Sequence, residues 1–139
     1  MTIPDKLPIA RMEDYHTHFL GKASDERLFW GYQTFAFSKP FSEIEQGDDW
    51  KKYRKEYAIL HTFDSDGNYI ATRHWSGLAT ETDDQQLDSK LQEMVSELGD
   101  INFQDIEIKI FQIQLDNIIF GLVADEESEM INLEPSSTI

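Results

Sequence analysis

Apolar and polar residues alternate with a period of two over most of this chain, and switch to a helical period in one place. From Asp14 to Ala23, Tyr15, Thr17 and Phe19 fall on one side and His16, His18 and Leu20 on the other. Leu28 to Ser38 follows as an aromatic-rich strand, and Ser24-Asp25-Glu26 between them has turn chemistry, so the pair reads as a β-hairpin. Pro4 and Pro8 mark an extended entry to it, and Lys39-Pro40 ends it, because proline cannot donate to a ladder. Ser42 to Lys55 is then an insertion with one or two helical turns starting at Asp48-Asp49.

A second hairpin is expected where Tyr57 to Phe63 and Tyr69 to Trp75 flank Asp64-Ser65-Asp66-Gly67-Asn68. A three-residue loop with Gly67 left-handed gives a type I turn plus bulge. That register sets Tyr57 opposite Trp75, Ile59 opposite Arg73 and Phe63 opposite Tyr69, and it sends His61 and His74 to opposite faces.

The helical period runs from Thr82 to Leu98. Thr82 and Gln85 fit a capping box, Asp83 and Asp84 suit the positive end of the dipole, and Gly99 suits the C-cap. Leu87, Leu91, Met94, Val95 and Leu98 make one apolar stripe, with Asp88, Glu93 and Glu97 off it. A third hairpin follows. Ile106, Ile108 and Ile110 alternate, then the phase slips to Phe111, Ile113 and Leu115, as a bulge near Ile110-Phe111 would produce. Asp116-Asn117 turns the chain into Ile118 to Ala124, apolar enough for a central strand. Asp125 to Ile139 is acidic and aperiodic and reads as a flexible tail. The expected architecture is one α+β domain over residues 1–124, followed by the tail 125–139. Its sheet is antiparallel, with about six strands built from successive hairpins, and one amphipathic helix packs on a face.

Composition adds little to the fold and much to the choice of partner. The chain has 139 residues and no cysteine, which removes disulfides, thiolate catalysis and cysteine-based metal sites. No apolar run approaches a membrane span, and the N-terminus lacks a signal peptide, so a cytoplasmic protein is expected. The net charge is −15. Residues 1–80 carry 12 acids and 10 bases, whereas residues 81–139 carry 15 acids against Lys90 and Lys109 alone. Such a field repels nucleic acid and anionic lipid and speeds encounter with a basic protein. The aromatics divide the other way, 14 of 17 lying in residues 1–80, so the core and any aromatic anchor are expected there.

Candidate chemistry is sparse. His16-Thr17-His18 places two imidazoles on one side of a strand, a pair able to chelate zinc, copper or nickel if a third ligand joined. His61 and His74 are the remaining histidines and point to opposite faces in the expected register, so at most one can join. His16 and His18 therefore read as polar-face histidines, and no metal or cofactor is expected. Asp64 to Asn68 has the acids of a calcium loop but not its spacing, and a hairpin turn explains every residue. No nucleophile elbow or glycine-rich phosphate loop occurs, and His61 or His74 as a base has no specific partner. Lys51 to Lys55 is the one dense basic cluster, flanked by acids and read as a solvated turn. Trp50 and Tyr53 sit in an otherwise polar insertion, where aromatics are typical binding anchors.

Three stretches, IPDKLPIARMEDYHTHFLGK from Ile3, YRKEYAILHTFDSDGNYIATRHWSG from Tyr53 and IFGLV from Ile119, resemble a group of small bacterial proteins labelled formate hydrogenlyase regulatory protein-like. The likeness runs from residue 3 to about 124 and rests on structural motifs. It implies a cytosolic bacterial α+β protein and brings no catalytic or ligand-binding residue with it.

Taken together, the sequence points to a non-enzymatic, acidic protein-binding module, most concretely an immunity protein that neutralises a bacterial toxin. The expected contacts are Asp84, Asp88, Glu93 and Glu97 on the helix, with Trp50 and Tyr53. The partner would be a basic protein such as a toxin domain, not nucleic acid or membrane, and a homodimer is compatible. Two alternatives stay open: a small-molecule-binding or enzymatic domain with a pocket between sheet and helix, and a DNA-mimic regulator.

Overall fold

The computed structural model describes residues 5–9, 19–37, 50–125 and 130–135. In chain order its elements are β1 (Leu7–Ile9), β2 (Phe19–Ala23), β3 (Leu28–Phe37), a short 3-10 turn (Trp50–Tyr53), β4 (Arg54–Phe63), β5 (Tyr69–Leu78) and α1 (Asp84–Ser96). They continue with β6 (Ile101–Phe103), β7 (Ile106–Ile108), β8 (Phe111–Leu115), β9 (Ile118–Asp125) and β10 (Met130–Glu134). The class is α+β with antiparallel pairing throughout.

The expected single sheet is instead three: five strands in the order β5-β4-β3-β2-β6, three in the order β10-β9-β8, and the pair β1-β7. The long strands β3 and β4 lie inside the largest sheet, covered on both faces. Their residues therefore form nearly continuous buried runs, Leu28 to Tyr32 and Tyr57 to Phe63. Leu20, Trp30, Tyr32, Tyr57, Ile59 and Phe63 on one face meet Ile106, Ile108, Phe111, Phe120 and Leu122 from the two smaller sheets. Phe29, Ala58 and Leu60 on the other face meet Leu87, Leu91, Met94 and Val95 of α1. Each of those helix side chains contributes roughly 1.5–3 kcal/mol by burial, apart from cavity effects.

Local turn chemistry agrees with the sequence. Gly67 has φ 86°, its N–H donates to the Asp64 carbonyl at 3.0 Å, and the Asp64 carboxylate accepts from the backbone N–H groups of Asp66 and Asn68. Asp116 and Asn117 both have positive φ, 54° and 64°, as a two-residue type I′ hairpin requires. Glu26, at φ 75°, closes the first hairpin between Lys22 and Leu28.

Four expectations are corrected. First, the β4–β5 register holds only at its turn end, Phe63 opposite Tyr69. A bulge at Ile70 moves every later pair by one residue, so Tyr57 faces Ser76 and Ile59 faces His74. His61 and His74 therefore share a face. Second, the phase slip at Ile110-Phe111 is a change of sheet rather than a bulge, since β7 pairs with β1 and β8 with β9. Third, residues 130–134 of the expected flexible tail form β10 on β9, with Ile131 and Leu133 packed against the larger core. The short Met-Ile-Asn-Leu alternation is hidden among the acids around it. Fourth, the helix N-cap is Asp83, not Thr82: its carboxylate accepts from the Gln86 N–H at 2.7 Å. The Thr82 hydroxyl instead occupies the space a Cβ would take at Gly77. The strand residues expected over 14–18, with His16 and His18, the insertion over 42–49, and residues 126–129 and 136–139 lie outside the described residues.

Candidate interaction surface

Helix α1 lays its apolar stripe along the sheet, and this decides where its acids project. At 100° per residue, Asp84 and Asp88 flank one edge of the stripe, while Glu93 and Glu97 lie beyond the other. The four acids expected as one surface thus form two. The outermost line of the helix is nearly neutral, carrying Gln85, Ser89, Gln92 and Ser96.

Glu93 and Glu97 are partly neutralised. The Lys90 ammonium lies 3.9 Å from the Glu93 carboxylate, and Arg73 of β5 forms an ion pair with Glu97. With His74, Trp75 and Met94 they border a shallow groove of about 150 Å³. Lys90 also lies 6.0 Å from the centre of the Trp75 ring.

Asp84 and Asp88 lie elsewhere. With Leu87 they form one wall of a surface cavity of about 440 Å³, and Gln33, Thr34, Phe35, Arg54 and Glu56 form the other. The cavity opens where the end of β3 and the start of β4 run past the first turns of α1. The Arg54 guanidinium lies 3.7 Å over the Phe35 ring and its Nε is 2.6 Å from the Glu56 carboxylate. This cation is thus held by its own neighbours. The Asp88 carboxylate accepts from the Gln92 side-chain amide at 2.6 Å and Asp84 is exposed. Glu81 and Asp83 precede them, so residues 81–88 hold four acids and no base.

Of the aromatic anchors, Trp50 and Tyr53 both belong to the 3-10 turn. Tyr53 is half-buried, and the Trp50 side chain lies outside the described residues. Among the described residues, no three histidine or acidic side chains gather as a metal would require. Nor does any described helix have the length and apolarity to cross a membrane.

His61, a possible base on sequence grounds, is fully buried. Its Nε2 lies 2.8 Å from the Tyr32 hydroxyl and its Nδ1 2.7 Å from the Thr72 hydroxyl, which in turn lies 2.8 Å from the Tyr69 hydroxyl. Phe111 packs edge-on against the imidazole, the ring centres 4.7 Å apart. Burial pushes the His61 pKa down to about 3 and raises that of Tyr32 well above its ordinary value. The group is a neutral member of a core hydrogen-bond chain, sealed from any substrate. Sequence reasoning misses this chain because the bulge at Ile70 is what brings Thr72 beside His61.

A second polar tie joins the layers. Asp116 at the β8–β9 turn takes the Lys55 ammonium at 2.8 Å and the Tyr57 hydroxyl at 3.1 Å, and these bonds hold its carboxyl below the usual range. Arg73 pairs with Glu97 at the rim of the helix, and among the described residues the sheet–helix interface is a buried cluster of Phe29, Ala58, Leu60, Leu87, Leu91, Met94 and Val95. Comparison with known protein families, curated proteins and solved structures finds no match to this chain.

Proposed function

We propose that this protein is an acidic binding module that neutralises or regulates a basic partner protein in the cytoplasm, most concretely as an immunity protein against a bacterial toxin. One observation carries the reading: Asp84 and Asp88, preceded in the chain by Glu81 and Asp83, line a cavity at the N-terminal end of α1 whose lining cation is already paired with Glu56. A surface of that kind attracts cationic side chains at long range and offers a recess for one of them at contact. The rigid part of the interface is therefore the start of α1 with the cavity, and Glu93 and Glu97 are secondary because Lys90 and Arg73 offset them.

The test is binding to a panel of basic bacterial toxin domains, with lysozyme and cytochrome c as nonspecific cationic controls. One toxin domain should bind far more tightly than the controls, with affinity falling about tenfold or more between ~0.05 and ~0.3 M NaCl. Asp84→Asn with Asp88→Asn should weaken that complex more than Glu93→Gln with Glu97→Gln. Equal losses from the two pairs, or binding indifferent to salt, would overturn the assignment of this surface. The cavity size also lies in the range of small-ligand sites, roughly 300–1,000 Å³. A small amine that protects the fold against heat at micromolar concentration, with no toxin bound, would favour that second reading.

A further inference from the structure

Among the described residues, β5 is an open edge of the five-stranded sheet, ten residues long, whereas the opposite edge, β6, has three. The β4–β5 ladder alternates, and the Ala79 N–H donates to the Arg54 carbonyl at 2.9 Å. Ala71, Arg73, Trp75 and Gly77 therefore address β4, while Thr72, His74 and Ser76 turn their backbone N–H and C=O groups outward. No described backbone group takes them. The bulge at Ile70 guards only the turn end of this edge, and no proline interrupts it.

Three observations say what this edge fits. Tyr69 to Leu78 contains no acid, although the chain as a whole has net charge −15. Its one formal charge, Arg73, is held by Glu97. Two of the most exposed large apolar side chains stand at its two ends, Ile70 at 48% and Leu78 at 40%. They are placed symmetrically about His74.

We infer that two copies of this chain pair through β5, antiparallel about a two-fold axis at His74, to make one continuous ten-stranded sheet. In that register Thr72 of one copy faces Ser76 of the other, and His74 faces its twin. The outward N–H and C=O groups of these residues then close roughly six ladder hydrogen bonds. The same register sets Ile70 against Leu78 of the second copy and covers both exposed side chains. It also sets Arg73 beside the second copy's Trp75, on the side facing the helix groove. Pairing along β5 keeps the acids of residues 81–88 out of the contact. An extended strand from another protein could add to the same edge, but the self-complementary spacing of Ile70 and Leu78 favours a second copy.

The experiment is sedimentation of the full chain from about 5 to about 200 µM, with hydrogen exchange read residue by residue. The wild type should pass from monomer to dimer, and the amides of Thr72, His74 and Ser76 should gain protection as concentration rises. His74→Pro removes an N–H that only the dimer uses, so it should stay monomeric with its β4–β5 ladder intact. Ile70→Lys with Leu78→Lys should also be monomeric. Ile70→Lys with Leu78→Glu, which sets opposite charges face to face, should dimerise again and decides the matter if His74→Pro does not fold. A wild type that remains monomeric at about 200 µM, or a dimer in which those three amides stay unprotected, would overturn the inference.

Discussion

His61 is the side chain whose placement has the clearest thermodynamic consequence. Its pKa is about 3 in the fold, against ~6.5 for a free imidazole. Above pH ~6.5 neither folded nor unfolded chain binds the proton, and the stabilisation is fully present. Between pH ~6.5 and ~3 only the unfolded chain binds it, so each pH unit of acidification weakens the fold by ~1.4 kcal/mol. Below that window both states are protonated and acidification has no further effect through this group. We therefore expect His61→Gln to be less stable than wild type by ~1–3 kcal/mol at pH 7.5, because it disturbs the bonds to Tyr32 and Thr72. Its stability should then fall less steeply than that of the wild type between pH 6.5 and 4.5, and the two should converge. Urea unfolding at several pH values checks this. Parallel decline in the two proteins would mean that the imidazole titrates in the fold.

At the scale of elements, the C-terminal strand is the sharpest case. β10 pairs with β9 over five residues and brings Ile131 and Leu133 to the larger core. Ending the chain after Asp125 should therefore lower the melting temperature by on the order of 10 °C, as the loss of ~2–4 kcal/mol of burial and pairing implies for this size. A true tail would leave it unchanged, and a thermal melt followed by circular dichroism distinguishes the two. The same contrast separates what is legible in the sequence from what is not. Turns at Asp64–Asn68 and Asp116-Asn117, and the stripe of α1, follow from interactions within a few residues and read correctly. The pairing of β1 with β7 joins residues about a hundred positions apart, and the bulge at Ile70 shifts a register that the turn alone leaves undetermined. Neither leaves a local signal. The candidate surface shows the same limit. Asp84 and Asp88 are recognisable from the sequence as acids of the helix, but their joining with Arg54, Glu56 and Phe35 depends on where the helix sits on the sheet.

For the whole molecule, charge acts in different directions on folding and on its contacts. Six described ion pairs occupy Lys22, Arg27, Arg54, Lys55, Arg73 and Lys90. The chain as a whole holds 27 acids against 12 lysines and arginines, so its carboxylates outnumber its cations by more than two to one. Most of these pairs are at least partly exposed, and such pairs are worth at most ~1 kcal/mol each and are screened together with the repulsion. The excess of 15 negative charges outweighs them, and it opposes the compact state. Raising NaCl from ~0.02 to ~0.3 M should thus stabilise the fold by on the order of 1 kcal/mol. The same addition should strengthen β5 self-pairing, which brings two anions together, and weaken association with a basic partner. Urea midpoints, sedimentation and partner affinity measured across one salt series give the three signs. A fold that loses stability with salt would show that the six pairs outweigh the repulsion. A self-association weakened by salt would mean that acids of one copy meet cations of the other across the contact, against the β5 pairing.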